Sequence, residues 1–160
     1  MIVIKKSTNA DTRSAREKVS KTELLIQSRQ HIDDVIRAMV WMSRKLDDIA
    51  YNHDWTKIEN IDEFYADFSA TQDGFQGDFK QMHWFKGLHL KERHHLNDYC
   101  PDDVNLFDVL ERIADCVMAG MARSGSVYDE TLSPEILVKA YQNTVKLLVD
   151  EVEVESDIEL

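Results

Sequence analysis

The sequence is poor in chain breakers: its 160 residues hold only five glycines and two prolines. So few turn formers argue against a many-stranded β fold and for long helices. Two cysteines, Cys100 and Cys116, have no CxxC spacing and imply no disulfide framework. No apolar run reaches 18 residues, so no segment reads as a membrane-spanning helix. The opening MIVI is too short for a signal peptide, and a reducing cytoplasm is the expected location. Positive charge is in deficit, 19 Lys and Arg against 30 Asp and Glu, for a net charge of −11. Such a surface disfavours duplex nucleic acid and anionic membranes. A nucleic-acid mimic stays open as an alternative for so acidic a chain. Histidine is missing from the last 65 residues: all six lie between positions 31 and 95.

What is present reads as one helical domain. A chain of this length can bury about two thirds of its unfolded surface and needs no disulfides. Residues 1–20 are polar after MIVI and read as a flexible arm, 21–150 as the domain, and 151–160 as an acidic tail. Five to seven helices are expected. From Thr22 to about residue 52, Leu24, Val35, Met39, Met42, Leu46 and Ile49 recur at helical spacing, with His31 on the same stripe. IENIDEFYADF starts a second helix, and Gly74 and Gly77 mark a connection. Two short helices meeting near Gly87 are expected next. Pro101 breaks the pattern, and Asp102 or Asp103 is the candidate cap for the helix after it. VNLFDVLERIADCVMAGMARSG is the clearest helix, with Leu106, Leu110, Ile113, Val117 and Met121 in one stripe and Gly125 as its stop. Ser133-Pro134 opens the last helix.

The candidate chemistry lies in histidines and carboxylates. Neutral imidazoles from several helices can converge on a transition metal. His31 interrupts an apolar stripe, which suits either a core histidine bonded to a carbonyl or a ligand pointing inward. Asp115 is the only ionisable carboxylate in IADCVMAGMA and needs an Arg, a histidine or a metal if buried. Asp108 and Glu111 share its side of the helix in more polar surroundings, where they would be solvated or back up a ligand. His53 and Asp54 are adjacent. They could reach one centre only near a helix end, because neighbours on a helix point about 100° apart. Lys57, four residues after His53, could meet a phosphate as a point charge.

Taken in order, His31, His53-Asp54, His94-His95 and Asp115 resemble the HD-domain superfamily of metal-dependent phosphohydrolases. HDWTK looks like the HDxGK stretch of the HD-GYP branch, and RHHLNDYCPDD stands in the place of its HHExxDGxGYP segment. ERIADCVMAGMARSGSVY is similar to its helix carrying the last aspartate. HDWTKIENIDEFY, WFKGLHLKERHH and ERIAD also resemble small HD-like proteins of bacteria and phages, over about residues 31 to 128. There are departures: Thr56 replaces the glycine of HDxGK, Leu96 replaces the glutamate after His-His, and the GYP signature is missing. The last argues against cyclic-di-GMP specificity.

The resemblance implies hydrolysis of a nucleotide or another small phosphoester. His31, His53, Asp54 and Asp115 would hold a divalent metal, one of Fe, Mn, Zn, Ni or Co. His89, His94 and His95 would hold a second ion or meet the substrate, with His83 as the competitor of His89. Asp54 and Lys57 are the expected catalytic pair, with Glu111 behind the ligands. For a phage-encoded chain the location becomes the host cytoplasm. Two other readings are a non-catalytic HD-like module that binds a nucleotide or a protein partner, and a helical protein without metal. A homodimer is one assembly open to the chain.

Overall fold

The computed structural model describes residues 1–5, 18–74, 76–128 and 130–155. The expected helical class holds. Six α-helices stand in the described residues: α1 (Lys21–Asn52), α2 (Trp55–Glu59), α3 (Ile61–Gln72), α4 (His83–Gly87), α5 (Leu106–Ser124) and α6 (Pro134–Asp150). Single 3-10 turns at Phe79–Gln81 and His89–Lys91 flank α4, so the expected second short helix after Gly87 is one such turn. The chain divides into two compact units, one of residues 1–47 and 145–160, the other of residues 48–144. Helices α1 and α6 each run from one unit into the other.

The first unit contains two strands that the sequence pattern placed in an arm and a tail. β1 (Ile2–Lys5) pairs in parallel with β2 (Val152–Glu155), Ile2 opposite Val152. The rest of the expected arm and tail, 6–17 and 156–160, lies outside the described residues. A two-stranded sheet has open edges whose backbone groups need partners. Side chains of α1 supply some: Arg37 Nη1 donates to the Val3 carbonyl and Gln30 Nε2 to the Lys5 carbonyl, both at 2.8 Å.

The second unit is built around Leu96, Val104, Val109 and Ala140, with Leu106, Leu132 and Ile136 packed against them. Local chemistry sets the ends of its helices. Asn105 caps α5, its side chain accepting from the Phe107 and Asp108 amides while Asp108 accepts from the Asn105 amide. The cap is therefore neither Asp102 nor Asp103. Asp102 accepts from Lys139 at 3.1 Å, and Asp103 from Arg93 at 3.0 Å. Gly125 ends α5 at φ 72°, a left-handed conformation that glycine adopts at little cost. The Ser133 hydroxyl accepts from the Ile136 amide at the start of α6, as expected. Gly120 is needed for space: a Cβ there would sit 2.6 Å from the Ser126 carbonyl oxygen.

Candidate metal centre and adjoining cavity

The His53-Asp54 pair sits where the helix breaks. Helix α1 ends at Asn52, α2 begins at Trp55, and Asp54 takes φ 54° and ψ 26°, the only positive φ of a non-glycine residue among those described. A left-handed residue between two helices changes the direction of its side chain. This lets neighbours in sequence meet: His53 Nε2 lies 3.4 Å from Asp54 Oδ2 and 3.7 Å from Asp115 Oδ1. His53 Nδ1 contacts Glu111 Oε1 at 2.9 Å.

The histidine-rich segment after α4 closes the group. His94 is 2% exposed, with Nδ1 3.1 Å from Glu111 Oε1 and Nε2 3.6 Å from Asp54 Oδ1. His89 Nδ1 lies 3.8 Å from Asp54 Oδ1, and His89 Nε2 and His95 Nε2 are 3.2 Å apart. His89 also stacks on the buried Trp84 ring, centroids 4.8 Å apart. The structure thus separates the two competitors: His89 is buried in the group, whereas the His83 side chain is 86% exposed, 3.9 Å from Glu63. His31 lies in the other unit, on α1, with its side chain exposed, and takes no part in these groupings.

Among the described residues, four sets of three ligand atoms fall within 4.8 Å of one another. They are His53, His94 and Glu111; Asp54, His94 and His95; His53, Asp54 and Asp115; and Asp54, His89 and Glu92. Asp54 and His94 recur, so neighbouring sets share ligands. These residues could hold a metal ion, and the donor mix of imidazole and carboxylate suits the divalent transition metals. The hydrogen bonding agrees. Asp54 Oδ1 and both ring nitrogens of His94 are buried, and none makes a hydrogen bond of sound geometry. Each orphan of this kind costs about 1–3 kcal/mol unless something else satisfies it. Three buried ligand-type atoms lie together here, His94 Nδ1 within 3.1 Å of Glu111 Oε1, and could meet a cation.

Electrostatics ties the group together. Burial alone would lower His94, but Glu111, Asp54 and Asp115 raise it above the ordinary histidine value. Burial would raise Glu111, which His94 and His53 hold below the usual carboxylate range. His95 is lowered to about 4, by burial and then by the charges of His94 and His89. It is therefore a neutral imidazole at pH 7, the form that binds metals. Glu92, which burial would raise, is held at about 2 by hydrogen bonds from His89 and Thr56.

Glu92 and Thr56 are the residues sequence reasoning passed over. Both are buried. The Thr56 hydroxyl donates to Glu92 Oε1 and lies 3.1 Å from His89 Nδ1, and the Thr56 amide also donates to Glu92. The position at which HDxGK carries glycine thus supplies a bridge between a carboxylate and an imidazole. The one available signal was Glu92 at three residues after His89 and two before His94. Asp108 was expected in more polar surroundings, yet it is 1% exposed and takes a two-pronged bond from Arg93 at 2.7 and 2.9 Å.

A cavity of about 430 Å³ adjoins the cluster. Its floor includes His89, His94, His95 and Asp115. Phe64, Phe68, Phe79, Phe85 and Tyr128 supply aromatic wall, and Lys57, Lys80, Arg112 and Arg123 supply positive charge. Lys57 pairs with Asp54 Oδ2. Arg112 is 9% exposed, pairs with Glu130 and donates to the His94 carbonyl, and its Nε is a further buried atom without a hydrogen-bond partner.

Compared with protein-family models, with curated proteins and with solved structures, the chain matches none. No helix among the described residues is long and apolar enough to cross a membrane.

Proposed function

We propose that the chain is an HD-like metal-dependent phosphohydrolase acting on a nucleotide or another small phosphoester. The observation that carries this reading is the set of buried ligand atoms without a hydrogen bond, Asp54 Oδ1 and both nitrogens of His94, beside a cavity whose lining holds Lys57, Lys80, Arg112 and Arg123 together with Asp98, Asp115 and Glu130. His53, Asp54, Asp115, His94 and Glu111 would hold the first ion. His89, His95 and Glu92 with Asp54 offer places for a second. Bound there, a divalent ion supplies Lewis-acid polarisation of a phosphoryl oxygen and lowers the pKa of a water.

The chain's own residues do the rest. Lys57, between Asp54 and the cavity, steadies charge on phosphate oxygens as a point charge. Arg112 Nε and Arg123 offer further donors to an anion. The phenylalanine wall suits the flat face of a base or another ring, by stacking. The cavity volume falls in the range typical of small-molecule sites. Asp54, shared by three of the four ligand sets, orients the attacking water.

The test has two parts. Purified protein is assayed for bound transition metal and for uptake after chelation and reconstitution. It is then offered a panel of nucleotides and generic phosphoesters, beside Asp54→Asn. Less than about a tenth of an equivalent of metal after reconstitution would sink the site, because ligands this close should bind with substantial affinity. Metal without turnover would favour a binding module, the reading suggested by Leu96, a core residue where the resemblance has glutamate. Comparing His31→Ala with His94→Ala in the same metal titration asks whether the early histidine belongs to the set.

A further inference from the structure

We propose that α1 is a self-association surface, and that its occupant is a second copy of the chain packed antiparallel to it. Of the 32 residues of α1, none is buried among the described contacts of the chain. Yet Ile32, Val35, Ile36, Met39, Val40 and Leu46 are large and apolar, and 37–59% of each remains exposed. With Leu24, Leu25 and Ile26 before them, most of these fall within an arc of about 160° on the helix wheel. Nine large apolar residues on one helix, each 37–59% exposed, are more than the singly scattered hydrophobics of an ordinary surface and mark an interaction site.

Charge selects the second copy over other occupants. The whole chain carries −11, so two copies repel over most of their surfaces. Helix α1 itself carries no net charge: its five Lys and Arg balance its five Asp and Glu. Two copies can approach along this face without meeting the net repulsion. The pattern also fixes a direction. Arg29 and Asp47 are both exposed and lie about five turns apart, so they share one flank of the stripe. A two-fold axis perpendicular to the helix brings that same flank of both copies together in reversed order. With the axis beside Ala38, Arg29 of each copy faces Asp47 of the other, twice over, while the apolar stripes close between them.

The experiment is sedimentation equilibrium of the full chain across a concentration series. The wild type is expected to dimerise. Met39→Glu places a charge in the centre of the stripe and is expected to weaken the dimer about 100-fold or more. Its helical circular dichroism and metal uptake should stay unchanged, since Met39 is exposed on α1. Arg29→Asp and Asp47→Arg should each weaken association, and the double exchange should restore it. In a Cys100→Ser background, Met39→Cys should join two copies through a short bismaleimide. Leu25→Cys should not, because antiparallel copies hold those positions about 40 Å apart. A wild type that remains monomeric at 100-fold above typical dimer affinities, about 100 µM, overturns the proposal. Dimerisation that Met39→Glu leaves intact overturns it too. Cross-linking through Leu25→Cys, or failure of the double exchange to rescue, overturns the antiparallel pairing.

Discussion

Helices α1 and α5 turn the usual rule inside out in opposite ways. α1 displays its apolar stripe and buries nothing. α5 buries Asp108 and Arg112 beside Phe107, Val109 and Cys116, and half-buries Glu111 and Asp115, while Leu110, Ile113 and Met121 stand exposed. An exposed apolar stripe argues for a partner; an inward polar face argues for a site, because buried charges persist only where something answers them. In α5 the partners are Arg93 for Asp108, Glu130 for Arg112, and His53 and His94 for Glu111.

Four measurements would break or sharpen this contrast. The largest effect is expected at the cluster. His94→Ala should lower metal affinity about 100-fold or more, read by competition with a chromophoric chelator, because it removes a ligand shared by two sets. His83→Ala, at an 86% exposed side chain, should leave affinity unchanged. Equal losses would mean that the buried histidines do not hold the ion.

Stability comes next. Asp108→Ala should cost about 3 kcal/mol in urea unfolding, since it strands the Arg93 guanidinium and opens the capping box of α5. Ile113→Gln, on the exposed apolar side, should cost less than about 0.5 kcal/mol. If the isoleucine proved the more costly of the two, the inward face of α5 would be its apolar one and the contrast would collapse. Gly120→Ala should cost about 2 kcal/mol, because the new methyl meets the backbone of Ser126 and Tyr128 at 2.6 and 2.9 Å, and backbone yields poorly.

The smallest effect is expected from acid. In metal-free protein Glu92 is held at about 2, below its ordinary 4.5, so the unfolded chain binds that proton more readily than the folded one. The ionised group therefore stabilises the fold above pH 4.5 and loses that contribution as the pH falls toward 2. The difference in melting temperature between wild type and Glu92→Gln should shrink over this window and vanish only below pH 2. A difference constant from pH 6 to pH 2 would show that the carboxylate gains nothing from Thr56 and His89.

Much of the local structure was legible in advance, because it depends on neighbours in the chain. The stop at Gly125 and the start at Ser133-Pro134 follow from backbone conformation and a missing amide. The helical class followed from spacing and from the scarcity of breakers. The α5 cap was misplaced by two or three residues, because Asp102, Asp103 and Asn105 are all competent caps and only packing chooses among them. The pairing of β1 with β2 was illegible, since its register joins residues some 150 positions apart. Four apolar or alternating residues at each end carry no local mark of a partner.

The site divides in the same way. Residue types, their order and the family resemblance singled out His31, His53, Asp54 and Asp115 for one metal and His89, His94 and His95 for a second ion or the substrate; the structure groups all of these except His31. Only the tertiary structure decided that His89 joins them and His83 does not, and that Glu92 and Thr56 belong there. It also decided that Asp54 turns through a left-handed backbone to stand beside His53. The physical reason is range. Propensities and caps act over a few residues and are written in short stretches of sequence. A ligand cluster depends on where several helix ends meet, and that is set by the packing of the whole unit.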